Sequence, residues 1–200
     1  MRTRFSISLP VLILAGFIYF ITDTPSLLSL LLPAALHELG HIVTLRLLGL
    51  RISCFKAELK GLCIEYRGCT SAAGHVMAAP AGPLWGIVYG LAAAWLALRL
   101  DSGWLELSAG ISLILSMFNL LPALPLDGGR ILYNISEALW GPGFAARLLN
   151  ALGLATGTVL LALGAWLMLK GFGIAVEMAA VWLLMYTGEK LRNPMYREII

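Results

Sequence analysis

Apolar residues run in long blocks along this chain, separated by short polar stretches. Six blocks approach the ~20 residues that cross a bilayer as a helix. They are residues 5–21, 26–48, 74–98, 104–121, 144–169 and 173–186, the last being short. Arg2 and Arg4 precede the first block, and Thr22, Asp23, Thr24 and Pro25 follow it without a small-x-small cleavage pattern. The block therefore reads as a retained span and not as a removed leader.

Between the second and third blocks the pattern changes to alternation. In residues 52–67, Phe55, Ala57 and Leu59 alternate with Cys54, Lys56 and Glu58. After Lys60 and Gly61, Leu62, Ile64 and Tyr66 alternate with Cys63, Glu65 and Arg67. Period-two alternation around a glycine predicts a β-hairpin. One apolar and one charged face suit the membrane–water boundary, and the edge could accept an extended substrate as an added strand. The plainer reading is a connecting hairpin.

Composition strengthens the membrane reading. The chain has 200 residues, 60% hydrophobic and 12% charged, with a mean hydropathy of +0.86. A soluble domain carries about 25% charged residues, so this chain has too little charge to cover a soluble surface. The expected fold class is an all-α polytopic membrane protein, with about six transmembrane helices and a small membrane-edge β-hairpin. No repeat or long polar linker divides it. A single membrane-embedded domain is expected, with a core over residues 26–140 and accessory helices over 144–190.

Charge placement tests the six spans. With the N-terminus inside, 12 of the 14 Lys and Arg fall in inside segments. Only Arg99 and Lys170 lie outside, at span ends where long side chains can snorkel. Both termini are then cytoplasmic, in a prokaryotic plasma membrane. Cys54, Cys63 and Cys69 share one inside loop. They are expected as free thiols there, because the compartment is reducing and their spacing fits no zinc ribbon.

Ionisable residues inside a span are costly and mark function by default. The second span holds three, in His37-Glu38-Leu39-Gly40-His41. This is H-E-x-x-H. On a helix, positions i and i+4 face the same way, so both imidazoles can reach one metal ion while Glu38 serves as base. Two imidazoles and a carboxylate suit zinc with one open position. Asp127 and His75 are the candidates for the third ligand, and Asp127 is preferred. Pro122 and Pro125 keep its segment from forming a regular helix, and Gly128 and Gly129 allow close backbone approach. Asp127 could also cap the helix that follows. His75 reads otherwise as an interfacial histidine.

These residues carry a resemblance. His37-Glu38-Leu39-Gly40-His41, with Asn119-Leu-Leu-Pro-Ala-Leu-Pro-Leu-Asp127-Gly-Gly-Arg130 and Ala81-Gly82-Pro83, resembles the site-2 protease family of intramembrane zinc metalloproteases. The match covers about residues 36–130. Six spans without an inserted domain look most like the stage IV sporulation protein FB branch, here without a CBS or PDZ domain. The resemblance implies one zinc ion per chain, held by His37, His41 and Asp127, with Glu38 as general base. It also implies that Asn119 positions substrate, and that Gly82 and Pro83 serve packing and backbone shape.

The implied reaction is hydrolysis of peptide bonds in or near transmembrane segments. Its substrate would be a membrane protein or a membrane-associated pro-protein, such as a pro-sigma or anti-sigma factor. A regulatory membrane partner fits this scheme, and no nucleic-acid partner is expected. The rivals are a divalent-metal transporter or sensor using the same ligands, and a protease that has lost its chemistry and acts as a binder. A transporter would be expected to repeat its broken segment, and only one such break is visible. Intact His37, Glu38, His41 and Asp127 count against lost chemistry.

Overall fold

The computed structural model describes residues 4–8, 19–20, 22–58, 61–67, 72–171 and 173–192. Among the described residues, the strands β1 (Arg4–Ile7), β2 (Arg51–Glu58) and β3 (Gly61–Arg67) form one sheet in the order β1-β2-β3. The helices follow as α1 (Thr24–Leu47), α2 (Ala72–Ala78), α3 (Ala81–Leu100), α4 (Gly103–Asn119), α5 (Asp127–Trp140), α6 (Pro142–Leu169) and α7 (Ala175–Arg192). The chain divides into two compact units, Met1–Asn119 and Leu120–Ile200.

Among the described residues, three stretches are long and apolar enough to cross a membrane: Thr24–Leu47, Val76–Leu100 and Pro142–Leu169. Their outer faces carry exposed Leu28, Leu31, Val88, Leu91, Val159 and Leu163. Water would penalise such a surface, whereas hydrocarbon accepts it.

Two boundaries differ from expectation. The first predicted span, residues 5–21, begins as strand: Arg4–Ile7 pairs in parallel with Cys54–Ala57. Polar Arg4 and Ser6 alternate with apolar Phe5 and Ile7, which is strand periodicity hidden at the edge of an apolar block. Most of the remainder of that span lies outside the described residues. The third span, predicted as continuous, is broken by a turn at Ala79–Pro80 into α2 and α3. Proline lacks the N–H of the helical ladder and its ring collides with the preceding turn. Strands β2 and β3 pair antiparallel, with Glu58 opposite Gly61 and Arg51 opposite Arg67. Cys54 is buried with a free thiol; the side chain of Cys63, and Cys69 entirely, lie outside the described residues.

In the first unit, α1 packs against α3 and α4. The side chain of Asp23 caps α1, accepting from the Ser26 N–H at 3.2 Å. Hydrogen bonding from Ser26, by its side chain first and its backbone second, holds the Asp23 carboxyl below its usual range. A lowered carboxylate pKa stabilises above the ordinary value, and the contribution is lost as pH falls through the folded one. Acidification therefore loosens the first turn of α1.

A small-residue seam joins α3 to α4. Bare Cα atoms at Gly86 and Gly90 face Ser116 and Leu113. The Ser112 hydroxyl donates to the Gly86 carbonyl at 2.8 Å, and the Tyr89 and Ser108 hydroxyls lie 2.7 Å apart. Ser108, Ser112 and Ser116 are fully buried. Close backbones and satisfied hydroxyls are how helices associate where lipid removes the hydrophobic drive. At its far end, α3 sets the Arg99 guanidinium over the Trp95 ring, 5.3 Å from its centroid. This cation–aromatic pair suits the headgroup level.

In the second unit, α6 packs against α5 and α7. Gly153 and Gly157 of α6 admit Thr187 and Leu184 of α7.

Candidate metal centre

The buried stripe of α1 is Ser29, Pro33, His37, Gly40 and Leu45. Ser29, Pro33, His37 and Gly40, three or four residues apart, fall on one helical face. His37 therefore points inward and is 4% exposed, while His41, one turn on, is half-buried. The two imidazole centroids are 5.1 Å apart and the planes are inclined at 76°. Glu38 is half-buried beside His37 on the same helix.

Helix α3 closes over these rings. A Cβ placed on Gly82 would collide with His41 Nε2, and would meet His41 Cδ2 at 2.7 Å and His37 Nε2 at 2.8 Å. Both Nε2 atoms thus converge on one bare Cα. His41 Nδ1 sits 3.0 Å from the Ala78 carbonyl. A carbonyl only accepts, so Nδ1 carries the proton and donates; in the neutral form of the ring the lone pair is then on Nε2. Ala78 ends α2, where carbonyls lack a partner within the helix, and the imidazole takes one up. A metal-ligating histidine characteristically makes this kind of outer hydrogen bond. The cradle over Gly82 and the tautomer of His41 fit a metal ion bound through Nε2.

Asn119 is the last residue of α4, and its Nδ2 donates to the Leu115 carbonyl at 3.0 Å. In the second unit, residues 120–126 are turns and bends, as Pro122 and Pro125 predict, and Leu124–Pro125 is cis. Leu126 occupies the cap position of α5, so Asp127 is the first helical residue and not the cap. Its carboxylate is 5% exposed and lies at the positive end of the helix dipole. Arg130 Nη1 stands 3.8 Å from Asp127 Oδ1.

The irregular segment folds tightly over the start of α5. A Cβ on Gly128 would strike the Leu120 carbonyl and meet the Leu121 oxygen at 2.6 Å; one on Gly129 would strike Ala123 and meet the Leu124 nitrogen at 2.6 Å. These are backbone atoms and cannot swing aside. Gly129→Ala is therefore expected to destabilise the protein by about 2–3 kcal/mol, read as a lowered melting temperature. An unchanged melting temperature would mean that the segment does not pack this way.

Sequence reasoning found H-E-x-x-H and the Asp127 segment, but not the Ala78 carbonyl or the contact role of Gly82. A backbone acceptor has no residue signature, and Gly82 was readable only as a small packing residue. His75 lies in α2, and its side chain is outside the described residues.

Comparison with known families matches Peptidase M50B-like over residues 9–126 and Peptidase family M50 over residues 102–163. No curated protein matches the chain. Among solved structures the chain is similar to the site-2 protease from Methanocaldococcus jannaschii, with a TM-score of 0.70 and 20% identity, covering 94% of this chain and 91% of that one. At that identity the likeness speaks for the fold.

Proposed function

This chain belongs to the M50B-like peptidases, membrane metalloproteases, and from that premise we propose that it hydrolyses peptide bonds in or beside transmembrane segments, with His37, His41 and Asp127 holding one zinc ion and Glu38 as general base. The observation that carries the reading is the convergence of both imidazole Nε2 atoms over Gly82. By residue type, His37, His41 and Asp127 supply the two imidazoles and the carboxylate that such a site calls for. Two neutral imidazoles and one carboxylate with an open fourth position suit zinc in a hydrolytic site.

Zinc bound there supplies Lewis-acid polarisation of the scissile carbonyl and acidifies the attacking water. Glu38 takes the proton from that water as its oxygen bonds to the carbonyl carbon. It then returns the proton to the amine as the C–N bond breaks. Asn119 holds the scissile backbone or the developing oxyanion. A helical amide is shielded by its own hydrogen bonds, so the substrate must unwind locally and present a strand. With β2 in the middle of the sheet, the outer edge of β3 is our choice for pairing with it.

The proposal keeps one membrane-embedded domain with core 26–140 and accessory helices 144–190, six spans, and cytoplasmic termini in a prokaryotic plasma membrane. Its substrate class is a membrane-associated pro-protein, a pro-sigma or anti-sigma factor fitting that class, and the sporulation protein FB branch is its nearest assignment.

The test uses the full chain in liposomes with a set of helix-destabilised membrane peptides. Stripping metal with a chelator is expected to stop cleavage, and stoichiometric zinc to restore it. Cleavage that survives complete metal removal would sink the reading. Absent cleavage, combined with zinc exchange across the liposome wall, would replace it with transport.

A further inference from the structure

Helices α1 and α3 meet at two glycines, and the two bare Cα atoms face different neighbours. A Cβ on Gly40 would meet the Ala81 carbonyl oxygen at 2.7 Å and Trp85 Cγ at 2.9 Å. Those atoms belong to the packing of one helix on another. At Gly82 the three nearest atoms are all imidazole: His41 Nε2, His41 Cδ2 and His37 Nε2. The missing side chain at 82 is therefore matched to the rings themselves.

We propose that Gly82 is a positioning residue of the metal site, which by lacking a side chain keeps open the space where His37 and His41 Nε2 converge. This rests on the metal-site reading above and goes beyond the packing role expected for the Ala81-Gly82-Pro83 motif.

The rings have little room to yield. His41 is tied at its other nitrogen to the Ala78 carbonyl at 3.0 Å. His37 is 4% exposed on the buried stripe of α1. Ordinary carbon contacts lie near ~3.5 Å, so for His37 Nε2, at 2.8 Å, a methyl leaves a shortfall of more than about half an ångström. His41 Nε2 would have to move further. Metal–ligand distances tolerate only about 0.2 Å. A methyl at 82 thus pushes both donors out of register with one ion, while leaving their chemistry unaltered.

The experiment compares zinc affinity and thermal stability of wild type, Gly82→Ala and Gly90→Ala, each as the full chain in detergent. Gly82→Ala is expected to bind zinc at least about tenfold more weakly than wild type. Gly90→Ala, which crowds α3 against Leu113 of α4 at 2.8 Å, about two turns away from the rings, is expected to melt lower but keep wild-type affinity. Equal zinc affinity in Gly82→Ala and wild type overturns the proposal. Wild type that holds no zinc overturns the metal reading and this one with it, so the two failures are distinct.

A second measurement removes any dependence on folding of the single variant. The metal-free protein is melted with and without Gly82→Ala, in the native background and in one where His37 and His41 are both alanine. Crowding of the rings predicts a loss of about 5 °C, or failure to fold, in the native background, and almost no loss once the imidazoles are gone. The same loss in both backgrounds would show that Gly82 serves helix packing alone.

Discussion

Glu38→Gln is expected to abolish peptide cleavage, by about 10³-fold or more, while leaving zinc stoichiometry unchanged. Glutamine keeps the size and hydrogen-bonding reach of the side chain and removes only its ability to accept and hold a proton. Glu38 directly follows His37 on α1 and is half-buried, so its backbone position is set by the same helix that sets the histidines. The loss therefore belongs to the proton transfer. Cleavage assays and elemental analysis of the same preparation read the two quantities together. Retained cleavage would assign the base elsewhere, and lost zinc would make Glu38 part of the metal site instead.

Asp127→Asn is expected to weaken zinc binding by more than about 100-fold, beyond the 10–100-fold typical of outer-shell changes, and to remove cleavage with it. The substitution is nearly isosteric, so the tight packing of Gly128 and Gly129 under residues 120–124 is left undisturbed. What changes is charge. An amide offers only a neutral oxygen to the ion and gains less from the dipole of α5. Zinc content is the decisive readout. Unchanged content would move the third ligand to another residue, with His75 next in line.

Much of this site was legible because its chemistry has local spacing. His37 and His41, four residues apart in an apolar run, declare one helical face without knowledge of any other element. Pro122 and Pro125 likewise declare an irregular segment before Asp127. The features that escaped depend on partners distant in sequence. Arg4–Ile7 is four residues of alternation at the edge of an apolar block, and it becomes a strand only because β2, some fifty residues later, offers an edge. Tertiary pairing of that kind overrides local periodicity. The break at Ala79–Pro80 was signalled by Pro80 itself, yet the length of the apolar run outweighed it. Gly82 was visible as a small residue, but what it makes room for lies on another helix.

The Trp95–Arg99 pair has a consequence for depth. In the proposed membrane placement, Arg99 over its tryptophan is where α3 would reach the headgroups. Gly82 lies seventeen residues earlier on the same helix, roughly 26 Å away by helical rise. Measured against a hydrocarbon core of about 30 Å, that distance would pass the midplane and set the two imidazoles in the opposite leaflet. A metal centre held there would be off-centre. A substrate helix would meet it nearer one end than its middle, where the hydrogen-bond ladder is already fraying, so the unwinding that cleavage requires shrinks to the last turns. On the proposed placement and reaction, a thicker bilayer would bury the centre deeper from one side only, and cleavage would then vary with membrane thickness.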